Sequence, residues 1–197
     1  MRILVACEFS GRVRDAFIKK GHDAISCDIL GTEKPGPHYV GDIRDILHSE
    51  DWDLIVAHPP CTYLALSGVR WLKEEEGRWG KMLRAVEFFN LFLGHPCQRI
   101  CVENPIIHSY AKRRLLVPSY TQKTQPYFHG HPEKKSTCLW LKGLPLLRAS
   151  SNVSHLMIGQ HRGDSGRVHW EPPSKERQKN RSRTFEGIAK AMADQWG

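Results

Sequence analysis

The stretch Asp53-Leu54-Ile55-Val56-Ala57-His58-Pro59-Pro60-Cys61 decides how this chain is read. An apolar run of this length, bounded by proline, is the pattern of a strand buried on both faces of a parallel sheet. Neither proline has an N–H to give to a ladder, so the strand stops there. Cys61 is therefore expected in the loop just past a strand's carboxyl end, where open α/β sheets place their ligands. A cysteine there is either a packed small hydrophobe or a nucleophile.

Upstream, Arg2–Glu8 (RILVACE) is a short apolar run ending in an acid, followed by Phe9-Ser10-Gly11. Val13, Ala16 and Phe17 then recur at helical spacing, and Gly21 stops the helix. Ala24–Asp28 (AISCD) is a second strand ending on a carboxylate. Strand, glycine turn, helix, strand and terminal acid form the layout of a nucleotide-binding βαβ unit, although this turn has one glycine where the dinucleotide fingerprint has three. Gly31–Pro37 is a loop by composition, and a short strand through Tyr39 and Val40 leads to Asp42.

Downstream, 62–72 reads as a loop free to move, and one long helix is expected over about 73–93 with Trp79, Met82, Leu83, Val86, Phe89 and Leu93 on its apolar stripe. Glu74-Glu75-Glu76 suits the positive end of its dipole. Arg99–Val102 is the fifth strand, leaving at Glu103-Asn104-Pro105, and a short helix is expected over 108–116. Thr121–Tyr127 and Thr137–Leu141 read as a hairpin. Residues 148–183 lack periodicity and are expected to be irregular, and a last helix spans about 185–196.

The 197 residues suggest one domain, 40% hydrophobic and 25% charged, as in an ordinary soluble globule. No apolar run approaches the length of a membrane span. The first strand starts at Arg2, leaving no room for a leader, so an intracellular, cytoplasmic location is expected. The six cysteines include no Cys-x-x-Cys pair, so no metal site is expected; Cys97/Cys101 and His129/His131 are read as core and loop residues. A net charge of +8 favours a polyanionic partner such as nucleic acid. The excess concentrates in 162–183, where Arg162, Arg167, Lys175, Arg177, Lys179, Arg181 and Arg183 face Asp164, Glu171 and Glu176.

In this order, Phe9-Ser10-Gly11, Asp28, Asp42, Pro59-Pro60-Cys61 and Glu103-Asn104-Pro105 resemble the motifs of the DNA (cytosine-5)-methyltransferase family, whose patterns are F-(S/A)-G-x-G, Pro-Pro-Cys and Glu-Asn-Val. The likeness covers about residues 1–105 and continues more thinly over 128–141. It implies a Rossmann-like α/β methyltransferase fold, a mostly parallel sheet with helices on both faces, and S-adenosylmethionine as methyl donor. It makes Cys61 the nucleophile that adds to carbon 6 of cytosine and Glu103 the carboxyl group that bonds ring nitrogen 3 and the exocyclic amine, with Asn104 holding the loop. Phe9, Ser10, Gly11, Asp28, Asp42 and Pro59 would line the cofactor site. Lys135, with Arg177, Lys179, Arg181 and Arg183, would meet nucleic acid, DNA being favoured.

The chain departs from the family at several points. Val13 replaces the second glycine, Thr62 follows the nucleophile in place of Gln, and Pro105 replaces Val. Lys135 and Thr137 stand where the family places two arginines. Only about 142–183 are available for target recognition, a short basic insertion where the family has a long region. A protein partner supplying recognition therefore remains open, as do RNA or a free cytosine nucleotide as substrate, and a non-catalytic nucleic-acid-binding role on the same fold. The amino-directed methyltransferases fit less well, because their motif has an aromatic residue where this chain has Cys61.

Overall fold

The computed structural model describes residues 1–158, 171–172 and 174–197. Seven strands form one sheet: β1 Arg2–Ala6, β2 Asp23–Asp28, β3 His38–Val40, β4 Leu54–Ala57, β5 Ile100–Asn104, β6 Gln122–Thr124 and β7 Thr137–Lys142. Their order is β3-β2-β1-β4-β5-β7-β6. The first five are parallel, and β7 runs antiparallel to both of its neighbours. This is the expected Rossmann-like α/β fold, with the order 3-2-1-4-5 of a doubly wound sheet and a hairpin completing the far edge.

Both faces are covered, as the continuous apolar strands require. Helices α1 (Arg12–Ile18) and, at the chain's end, Glu186–Trp196 pack on the face to which Ile3, Val5, Leu54, Val56 and Cys101 point. Helix α3 (Arg78–Leu93) covers Leu4, Ala6, Ile55, Ala57, Ile100 and Val102 on the other. Alternation along each strand thus assigns every second residue to one layer.

Sequence periodicity misplaces two parts. The helix expected over 73–93 is broken in two: Glu75 turns extended to end α2 (Trp71–Glu74), and Gly77, with a left-handed backbone (φ 71°), starts α3. The acidic run therefore precedes the helix, and Glu75 pairs with Arg78 and Lys81 at 2.6 and 2.8 Å. Met82, Val86, Phe89 and Phe92 form the buried stripe, whereas Trp79 and Leu83 are 40% and 42% exposed. Trp79 rests instead on the ring of Tyr110, which belongs to the short helix α4 (Ser109–Lys112).

The second concerns the region expected to be irregular, where Lys175–Ser182 is a helix, α5. Ser174 caps it, its hydroxyl accepting from the Arg177 N–H at 3.0 Å. The segment KERQKNRS contains no apolar residue, so no amphipathic period marks it in the sequence. The last helix, Glu186–Trp196, is α6, with Ile188, Ala189, Met192 and Trp196 buried as expected. Arg162, Arg167 and Asp164 lie outside the described residues. Among the described residues no helix is long and apolar enough to cross a membrane.

The loop after β2 is built around Arg14, 0% exposed. Its guanidinium pairs with Asp15 at 2.8 Å and donates to Ser26 Oγ, Thr32 Oγ1 and the carbonyls of Lys34 and Pro35 at 2.9–3.3 Å. On the opposite face Phe89 is fully buried, with its ring edge-on to Trp140 at 5.1 Å. Phe89→Ala is expected to destabilise the fold by about 3–5 kcal/mol, read as a lower urea midpoint with unchanged slope.

Candidate active site

The carboxyl ends of β1 to β5 lie along one edge of the sheet, and Phe9, Asp28, Asp42, Cys61 and Glu103 stand at or near them. At the end of β1, Cys7 takes a left-handed backbone (φ 57°), unusual for a residue with a side chain. Glu8 follows, buried, with Oε1 accepting from Ser10 Oγ and from the Arg12 N–H, the latter at 2.9 Å. Its Oε2 is buried without a hydrogen-bond partner among the described residues. Phe9 is buried beneath the Arg183 guanidinium, 5.9 Å from its ring centre. Gly11 turns the chain into α1 with φ 71°, and a Cβ there would meet Arg14 at 2.6 Å. Val13, the residue in place of the family's second glycine, points into the core and leaves the turn free.

Asp28 ends β2 half-buried and caps the next turn, accepting from the Leu30 N–H at 2.9 Å. Burial raises its pKa, partly offset by that hydrogen bond. Asp42 is exposed and already employed: it starts a 3-10 turn over Ile43–Asp45, accepting from the N–H and the guanidinium of Arg44 at 3.0 and 2.8 Å. These bonds, the backbone one foremost, lower its pKa.

Beyond β4, Pro59 is buried and its carbonyl accepts from Asn104 Nδ2 at 2.8 Å. The Cys61 carbonyl accepts from the N–H groups of Leu64 and Ala65 at 3.0 and 2.9 Å. The segment expected to be a loose loop is tied to the exit of β5 by Leu66 N–H to Ile106 O and His108 N–H to Leu64 O, at 2.8 and 3.0 Å.

Glu103 is not past the fifth strand, as the sequence suggested, but inside it, opposite Leu139 of β7. Val56 sits beside Cys101 and Ala57 beside Val102, so one step further His58 meets Glu103. His58 Nδ1 donates to Glu103 Oε2 at 3.1 Å, and the two side chains are 6% and 14% exposed. Burial pushes the Glu103 carboxyl up, but the hydrogen bond and charge of His58, with the charge of Lys135, leave it below the ordinary value. Lys135 donates to the carbonyls of Arg181 and Arg183 at 2.6 and 3.3 Å, which anchors the end of α5 over the crevice. Burial lowers the pKa of Lys135, while Glu103 and Cys61 raise it.

Cys61 is half-buried, and its thiol is pushed up by burial and by Glu103 against the pull of Arg181 and Lys135. Cys61, Glu103, Lys135 and Arg181 therefore share one electrostatic environment. The remaining basic residues are more dispersed. Arg183 forms a bidentate pair with Glu33, Lys179 is exposed, and Arg177 is half-buried. The space between Glu103, Lys135, Thr137, Thr184, Phe185 and Ile188 is about 10 Å³, no more than one water.

The sequence reading gave no role to His58, Glu8 or Arg14. For His58 a signal existed: it lies two residues after Val56, as Glu103 lies two after Cys101, so each continues its strand's alternation.

No family model matches the chain, and no curated protein is similar to it. A solved structure that resembles it is described as a "putative DNA modification methyltransferase encoded within prophage" of E. coli. The two share 14% identity with a TM-score of 0.49, over 74% of this chain and 49% of the other. The chain thus spans about half the length of that structure. A likeness of this degree bears on neither substrate nor chemistry.

Because Glu103 titrates below the ordinary carboxylate value near 4.5, the stability it contributes is present above that value and is lost as pH falls through the folded one. Thermal melts in this acid range should fall less steeply for Glu103→Gln than for the parent. Equal slopes would remove Glu103 from the acid-sensitive groups.

Proposed function

We propose that this protein is an S-adenosylmethionine-dependent methyltransferase acting on carbon 5 of cytosine in DNA through a covalent adduct to Cys61. The observation that carries the reading is the convergence of Cys61, Glu103 and Lys135 in one crevice at the sheet's carboxyl edge. The ordered motifs of the sequence support the same chemistry.

The residues at the other end of that edge suit the methyl donor. Glu8 Oε2, a buried acceptor without a partner among the described residues, is of the kind that a ligand's ammonium or hydroxyl group satisfies. Asp28 offers a half-buried carboxylate to ribose hydroxyls, while Phe9, Ser10, Gly11 and Pro59 form the walls. Asp42 contributes less directly, since both its oxygens are bonded to Arg44. When bound there, S-adenosylmethionine supplies an electrophilic methyl group.

The chain's own residues supply the rest. Carbon 5 of cytosine is too weak a nucleophile by itself. The Cys61 thiol gives its proton to water as its sulfur adds to carbon 6, which makes carbon 5 nucleophilic. Glu103 bonds nitrogen 3 and the exocyclic amine, stabilising the charge that develops. Asn104 fixes the Pro59 carbonyl and hence the approach of Cys61. Burial and the charge of Glu103 raise the pKa of the Cys61 thiol, and it becomes easier to ionise as that negative charge is taken up by the base. Arg177, Lys179 and Arg181 supply positive charge to a polynucleotide backbone, with a partner protein as a further source of recognition.

Cys61→Ser should keep the fold and cofactor binding but abolish methyl transfer to duplex DNA, single strands, RNA and cytosine nucleotides alike, because a hydroxyl is a far weaker nucleophile near neutral pH. The parent should be trapped covalently by a substrate with fluorine at carbon 5, and the variant should not. Methyl transfer by Cys61→Ser would replace this reading with an amino-directed one. Asp28→Ala should weaken S-adenosylmethionine binding by roughly 1–3 kcal/mol, measured by calorimetry. Unchanged affinity would remove Asp28 from the cofactor site.

A further inference from the structure

The chemistry proposed for Cys61 needs a proton on ring nitrogen 3 as the sulfur bonds to carbon 6. Glu103 does not hold one by itself, because His58 and Lys135 outweigh its burial and keep it ionised near neutrality. An ionised carboxylate only accepts. The proton has to come from a neighbour.

His58 is the neighbour in contact. Its Nδ1 lies 3.1 Å from Glu103 Oε2, leaving Oε1 for the base. The strand register holds the two side by side on one face. The proline that follows keeps His58 extended, and its N–H donates to the Ala6 carbonyl at 2.9 Å, so the ring is carried on a fixed backbone. Its Nε2 is buried without a hydrogen-bond partner among the described residues. An imidazole placed only for packing leaves that nitrogen at a cost.

The other groups facing the pair do not supply the proton. Lys135, ahead of β7, directs its N–H bonds to the carbonyls of Arg181 and Arg183. Cys101 on β5 and Cys138 on β7 are raised, burial foremost, and remain neutral thiols, while the proton that Cys61 after β4 sheds on adding to carbon 6 leaves to water. Arg181 on α5 acts on Cys61 and Lys135. The guanidinium does not deprotonate.

We propose that His58 and Glu103 form one unit that holds the proton destined for ring nitrogen 3, with His58 a positioning residue that works through Glu103. This rests on the cytosine-5 reading above. As the Cys61 thiol gives its proton to water and its sulfur bonds to carbon 6, the ring's electron pair moves toward nitrogen 3. The Nδ1 proton passes to the Glu103 carboxylate, leaving the imidazole neutral, and the carboxyl group hands that same proton on to nitrogen 3 and ends ionised, as it began. When the methylated adduct collapses, the carbon-5 proton leaves to water and the sulfur–carbon 6 bond breaks. The nitrogen-3 proton then returns to the pair.

The test is His58→Asn, whose amide nitrogen keeps a hydrogen bond to Glu103 but carries no extra proton. Methyl transfer should fall about 100-fold or more, with cofactor affinity and melting temperature held. If the pair holds this proton, kcat of the parent should fall as pH rises, and His58→Asn should lack that fall. A variant as fast as the parent, with the same pH profile, overturns the proposal.

Infrared difference spectra with isotope-labelled glutamate, assigned through Glu103→Gln, follow the carboxyl group without turnover. Glu103 should take up its proton at higher pH in His58→Asn than in the parent, and an unchanged midpoint also overturns the pairing. His58→Gln serves as the second variant if the first folds poorly. A parent that methylates no cytosine in any substrate sinks the cytosine-5 reading alone, and the infrared midpoint then decides the pairing.

Discussion

Two prolines at the end of β4 set the geometry of the crevice. With no N–H at Pro59 or Pro60, the β4–β5 ladder cannot continue, and the chain must leave the sheet. The Asn104 side chain closes the gap by donating to the Pro59 carbonyl at 2.8 Å. This one bond joins the exits of two strands. The chain is thereby turned so that Cys61 faces the charge of Glu103, although the two are far apart in sequence. Further on, backbone bonds between 64–66 and 106–108 repeat the connection, so the two exits move as one body.

The crevice gathers charges that a folded protein ordinarily separates with water. Glu103 is nearly buried, and its compensation comes from His58, Lys135 and, at one remove, Arg181. A lone carboxylate at that depth would protonate. A lone lysine would deprotonate. Together each offsets part of the other's burial, and the Cys61 thiol sits at their margin. Such an arrangement leaves the thiol quiet until something alters the charge of Glu103, which a hydrogen-bonding base would do.

Much of this architecture is legible in the sequence, for identifiable reasons. Strands buried on both faces announce themselves as apolar runs, and their carboxyl ends were marked by Glu8, Asp28, Pro59 and Glu103. What the sequence hides depends on register or on polar packing. His58 gains its partner only through the alignment of β4 with β5. Arg14 looks like a surface residue of an amphipathic helix, yet it fills the centre of a loop because Gly11 and Gly36 leave room where a Cβ would stand within 2.7 Å of it. Helix α5 hides for the opposite reason, since a helix that is polar all round leaves no apolar stripe to read. An extended Glu75 and a left-handed Gly77 divide a helix that periodicity joins.

The two walls of the crevice are held by arginines in contrasting surroundings, and ionic strength tells them apart. Arg14 is sealed from solvent, so dissolved ions do not reach its contacts and the wall beside Asp28 keeps its shape in any buffer. The opposite wall hangs on Arg183 with Glu33, 21% and 35% exposed, and on Arg12 with Glu186, 4.0 Å apart at the surface. Counterions weaken these pairs. Added salt therefore loosens one side of the crevice and leaves the other rigid, so the electrolyte itself sets how readily the Lys135 side is uncovered.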